Sequence, residues 1–165
     1  MQQKHASMQQ TIANNVHFTG VGLHNGKDVQ VTIYPTTTNK GIIFKRLDIQ
    51  NKSQYVSANF RQVSKASLNT TVSNKDGVSV STIEHLMSAL WACGIDNALV
   101  SLDNSEIPIM DGSAAPFIKL ITEVGTITQK AKRKFIVIKK RLEIEQDGQQ
   151  IVFSPANDLS VECTI

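Results

Sequence analysis

The chain has 165 residues, 41% hydrophobic and 19% charged, the balance of a soluble globular protein long enough to bury a core. A formal charge of +3, small and scattered, argues against nucleic acid as a partner, and the one basic run, Lys130 to Lys134, reads as a solvated linker. No window approaches the roughly 18 apolar residues of a membrane span. The start "MQQKHASMQQ" lacks the core of a secretion signal, and Cys93 and Cys163 are too far apart and unpatterned for a disulfide framework or zinc finger, so a cytoplasmic setting is expected.

In chain order, residues 1–10 are polar and expected to be disordered. Residues 11–18 and 28–34 alternate apolar and polar side chains and predict strands of a half-buried antiparallel sheet. Between them lies "TGVGLHNGK", in which Asn25-Gly26 is a turn signal. Its glycines fall at G-x-G-x-x-x-G and a strand follows, not a helix. A dinucleotide-binding loop is therefore rejected in favour of a glycine-rich hairpin. Further strands are expected at 41–46, 69–73 and 77–80. A helix is expected from about Thr82 to Cys93, ended by Gly94. A strand at 98–102 precedes the turn-rich "DNSEIPIMDGSAAPF", and a second helix runs from about Ala114 to Glu123, stopping at Gly125. Beyond the linker, strands are expected at 135–139, 142–146, 151–153 and 159–164. The last alternation runs to the final residue without turn or cap, which predicts an incomplete second domain.

The stretch "STIEHLMSAL" admits two readings. Ser81 and Glu84 have the spacing of a capping box, in which the pair satisfies free N–H groups at a helix start. Alternatively Glu84 and His85 are chemical groups. On a helical wheel Ile83, Leu86, Met87, Leu90, Trp91 and Cys93 form the expected core stripe. Ser88, Ala89 and Ala92 lie on the other side with Glu84 and His85, and residues so small suggest close packing against another body. A helix start lowers histidine basicity and so favours a neutral, metal-binding imidazole. Catalytic zinc, however, takes three protein ligands, and neither H-E-x-x-H nor H-x-x-E-H occurs. His5, in the loose N-terminus, His17, in a strand, and His24, in the hairpin, add little, so most partners of His85 would come from elsewhere.

Together, "TGVGLHNGK", "STIEHLMSALWACGIDN" and "EIPIMDGSAAPF" resemble the N-terminal half of the UDP-3-O-acyl-N-acetylglucosamine deacetylase family, zinc amidohydrolases of lipid A synthesis. The resemblance implies an α+β fold of two similar sheet-and-helix domains with facing helix layers. This chain would hold the first, at 11–128, with 129–165 a linker and the opening strands of the second. It implies that His85 is a zinc (Zn2+) ligand and Glu84 the general base. Leu23 would lie in the hairpin beside the substrate's acyl chain. The other zinc ligands belong to an H-x-x-x-D motif of the second domain, absent here. The expected partners are a UDP-sugar lipid precursor and the missing C-terminal half, and the chain alone would be inactive. Asp111 and Ser113 read as helix-start residues. The competing reading is a non-catalytic remnant or binding module that keeps the fold.

Overall fold

The computed structural model describes residues 8–164. Two units part between Arg133 and Lys134. In the first, the element order is β1 (Met8–Ile12), β2 (Val16–Val21), β3 (Asp28–Pro35), β4 (Ile42–Arg46), β5 (Tyr55–Ser57), β6 (Val63–Lys65), β7 (Thr71–Ser73), β8 (Ser79–Val80), α1 (Glu84–Ala92), β9 (Ala98–Leu102), α2 (Ala115–Val124) and β10 (Thr126–Lys132). In the second, β11 (Leu142–Gln146) and β12 (Gln149–Phe153) pair as a hairpin. The architecture is α+β, as expected. Among the described residues no helix is long and apolar enough to cross a membrane.

Period-two alternation builds the central sheet, ordered β2-β3-β9-β4-β5 and antiparallel except between β9 and β4. Val29, Val31 and Ile33 of β3 are buried while their neighbours in sequence are not. Register sets Val31 opposite Phe18 on one side and Leu102 on the other, so one face is continuously apolar. The core joins this face to Leu86, Ala89 and Leu90 of α1 and to Phe117 and Ile121 of α2. Phe18 and Phe117 meet edge to face with ring centres 5.4 Å apart. Burying a side chain such as Phe117 contributes about 1.5–3 kcal/mol.

Several expectations are corrected. The segment expected as one strand at 11–18 is two, and residues 8–10 open β1 rather than fraying; residues 1–7, including His5, lie outside the described residues. The basic run is strand as far as Lys132, because β10 pairs with β1 and is pinned through Gln129. The Gln129 amide donates to Thr36 O (2.6 Å), and its Oε1 accepts from Asn97 Nδ2 (2.8 Å). No strand is described at 135–139 or 159–164. Alternation marks a ribbon with two unlike faces, but a ladder also requires a partner in register. The β11–β12 turn has Asp147 and Gly148 both at positive φ, the geometry that twisted two-residue hairpins demand.

The core stripe of α1 is also rotated from the expected one. Ala89 is fully buried while Trp91 is 64% exposed. Ile83, Leu86, Ala89 and Leu90 follow the i, i+3, i+4 spacing of one face, and the small Ala89 lets the helix approach its neighbours closely. Ser88 and Ala92 remain exposed with Trp91. At the other end, the expected stop at Gly94 forms a full C-terminal cap. Gly94 has φ 70°, its N–H bonds to Trp91 O (3.0 Å), and the Ile95 N–H bonds to Leu90 O (2.9 Å).

Asn97, 1% exposed, stitches the edges of this unit together. Its Oδ1 accepts from the N–H groups of Lys40 (2.8 Å) and Gly41 (2.9 Å), and its Nδ2 donates to Gln9 (2.9 Å) and Gln129 (2.8 Å). Asn97→Ala should therefore strand buried donors and acceptors and lower stability by about 2–4 kcal/mol in urea unfolding. A loss below about 1 kcal/mol would show that water replaces the amide without penalty.

Candidate functional site

The start of α1 is set by a strained residue. Thr82 has φ 55°, a left-handed conformation that a β-branched side chain resists by on the order of 1–3 kcal/mol. This turn delays the helix to Glu84 instead of Thr82. The hydroxyl of Thr82 donates to Glu106 Oε1 (2.8 Å) and accepts from Asn69 Nδ2 (3.1 Å), which holds the conformation in place.

The capping box does not form. The Ser81 N–H donates to Ser105 O (2.9 Å), the Ser81 hydroxyl to the same carbonyl (3.2 Å), and Ser81 O accepts from Ile107 N–H (3.0 Å). Pairing with the 105–107 segment thus uses the groups that the box would need. Glu84 turns elsewhere, and its Oε2 accepts the Thr70 N–H at 3.0 Å. Its Oε1 has no hydrogen-bond partner among the described residues.

Glu106 is the group that sequence reasoning missed. It is 1% exposed, and its carboxylate accepts from the His24 N–H (3.0 and 3.2 Å), the Asn25 N–H (2.9 Å) and the Thr82 hydroxyl. Burial pushes its pKa up, but bonds from His24, Thr82 and Asn25, with the His24 charge, more than offset this and hold the carboxyl below the ordinary glutamate range. The approach is so close that a Cβ on Gly22 would lie 2.7 Å from Glu106 Oε2 and 2.4 Å from Asn25 Oδ1. Next to it, a Cβ on Gly20 would meet Pro108 Cβ at 2.8 Å. Gly20 and Gly22 therefore make room for the Glu106–Pro108 segment. The available signal was a glutamate inside the apolar run "EIPI", together with the tight glycine spacing.

His85 follows Glu84 in the first turn of α1, half-buried. Asp111 lies within electrostatic reach of it. The hydroxyl and N–H of Ser113 hold the Asp111 carboxyl below its usual range, with a smaller contribution from the His85 charge. Ser113 Oγ in turn accepts the Ala115 N–H (3.2 Å) at the start of α2. Leu23 stands 59% exposed on the hairpin. The hairpin is tied to the helix start through Glu106, which His24 and Thr82 share. His17 bonds to Thr32 in the sheet, away from this junction. Burial raises the pKa of Cys93, which disfavours a reactive thiolate.

A catalytic zinc takes three protein ligands and leaves one position open. Among the described residues no group of three histidine, cysteine, aspartate or glutamate side chains could hold a metal ion. These residues do not complete such a centre, and His85 could supply only one corner of it.

A sequence profile for the LpxC family, UDP-3-O-acyl N-acetylglycosamine deacetylase, matches residues 9–165. A UDP-3-O-acyl-N-acetylglucosamine deacetylase of Neisseria gonorrhoeae is 42% identical over 159 residues, which is 96% of this chain and 52% of that protein. Proteins of the same name from Neisseria meningitidis serogroups C and B match equally, at 42% over 159 residues. The chain spans about half the length of the curated relatives it matches.

The buried carboxylate carries a pH signature. Because the folded pKa of Glu106 lies below its unfolded value, its stabilisation is whole above the ordinary range near ~4.3 and is lost as pH falls through the lower folded value. Glu106→Gln should therefore lower the urea midpoint at pH 7, and its gap from the parent should narrow below about pH 4. A gap that stays constant to pH 3 would contradict an ionised Glu106.

Proposed function

The chain belongs to the UDP-3-O-acyl N-acetylglycosamine deacetylase family, and from that premise we propose that it forms part of a zinc-dependent deacetylase acting on UDP-3-O-acyl-N-acetylglucosamine in lipid A synthesis. In this reading Glu84 is the general base, His85 is a zinc ligand, and Leu23 lies beside the acyl chain. The first unit, which contains the 11–128 segment, carries this half of the site, with further ligands supplied by residues outside this sequence. Two cysteines without a disulfide pattern agree with a cytoplasmic setting.

The observation that carries the reading is the release of Glu84 from the capping box. Bound to the Thr70 N–H through one oxygen, the carboxylate is oriented while its other oxygen remains available. Adjacent helical residues diverge by about 100°, so Glu84 and His85 can serve different partners from one turn. Zinc, when bound, would polarise the acetamide carbonyl and make a water more acidic. Glu84 accepts a proton from the attacking water at a carboxylate oxygen and returns it to the departing sugar nitrogen. The C–O bond forms as the C–N bond breaks, the second water proton also ends on the nitrogen, and the products are acetate and the protonated amine.

Acetate release from UDP-3-O-acyl-N-acetylglucosamine tests this in the full-length gene product. Glu84→Ala should lower kcat by ~10²–10⁴ with little change in KM. Its stability should fall by only about one hydrogen bond, ~0.5–1.5 kcal/mol. Near-normal kcat with a collapsed melting temperature would make Glu84 structural, and a full-length product without turnover would favour the non-catalytic remnant. The 165-residue chain alone, with zinc added, should release no acetate. Turnover lost on His85→Ala would overturn that expectation.

A further inference from the structure

We propose that Glu106 is a positioning residue that locks the substrate hairpin and the base-bearing helix start into one register, using Thr82 as the link. The proposal rests on the reading of Glu84 and His85 given above. The Glu106 carboxylate hydrogen-bonds to neither residue. It joins three segments far apart in sequence: the backbone N–H groups of His24 and Asn25, the hydroxyl of Thr82, and, through its own chain, the 105–107 pairing with Ser81.

The directions of these bonds make the junction specific. An ionised carboxylate only accepts, so the Thr82 hydroxyl must donate to it and must use a lone pair for Asn69 Nδ2. Asn69 precedes Thr70, whose N–H holds Glu84. The base is therefore oriented from the 69–70 loop, and that loop is joined through Thr82 to the same carboxylate that shapes the turn after Leu23. A buried charge with four close donor contacts tolerates little displacement, since any lost bond leaves desolvated charge behind. The left-handed φ of Thr82 persists because this network holds it.

Glutamine at position 106 would set NH₂ donors against donors, loosening both sides. Valine at position 82 keeps the threonine shape but removes the hydroxyl, loosening the helix side while the hairpin bonds remain. The two variants should therefore differ. In the full-length gene product, assayed on UDP-3-O-acyl-N-acetylglucosamine, Thr82→Val should lower kcat about tenfold with KM unchanged. Glu106→Gln should lower kcat at least as much and also raise KM several-fold. In a Glu84→Gln background, neither change should lower kcat further, because a positioning group acts through the base it orients.

Equal further losses in that background, or unchanged kcat in both single variants, would overturn the proposal. If Glu106→Gln does not fold, the Thr82→Val pair of measurements decides alone. Full kcat in Glu84→Gln itself would instead overturn the assignment of the base, a separate and distinguishable result.

Discussion

A single buried carboxylate organises the junction between the glycine-rich hairpin and the start of α1. Glu106 sits out of solvent with hydrogen-bond donors from two backbone amides and one hydroxyl. An ion placed there without partners would be prohibitively unfavourable, so the surrounding chain is shaped to supply them. Gly22 lacks a Cβ where the carboxylate passes, and Thr82 adopts a conformation it would otherwise avoid. The sequence stretches that set this chain apart, "TGVGLHNGK", "STIEH" and "EIPIM", are the three that meet at this group. Their glycines, threonine and glutamate satisfy one constraint together.

That constraint decides how α1 begins. Ser81 spends its backbone on the 105–107 segment, so the capping box is unavailable and Glu84 turns to Thr70. Propensity would have favoured the cap, worth on the order of ~1 kcal/mol. Tertiary pairing and the Glu106 bonds outweigh it. The other large polar device, Asn97, ties β1, β10 and the loop before β4 together.

Much of the architecture was legible in the sequence, for physical reasons that can be named. Strict alternation marked β3, Asn25-Gly26 marked the hairpin, and Gly94 marked a left-handed cap, because each depends on local chemistry. What depends on distant partners was not legible. The β1–β10 pairing spans more than a hundred residues, so the basic run that completes it looked like linker. Hydrophobicity alone places Trp91 inside, whereas the small Ala89 takes the buried position. Glu106 carried the least local signal, since a glutamate in a turn-rich segment is ordinarily solvated. The Glu84–His85 pair was visible as a pair, but its freedom from the cap could be seen only once Ser81 had found Ser105.

Glu106 holds the hairpin, the Thr82 turn and the 69–70 loop as one unit. Native-state hydrogen exchange on the amides of His24, Asn25 and Thr70 tests it most directly. In the parent protein the three should open together with one common free energy, since their acceptors are joined through the same junction. After Thr82→Val, the Thr70 amide should exchange faster while those of His24 and Asn25 stay protected by the remaining carboxylate bonds. Three amides that open independently in the parent, or that respond identically to the loss of the Thr82 hydroxyl, would contradict the account.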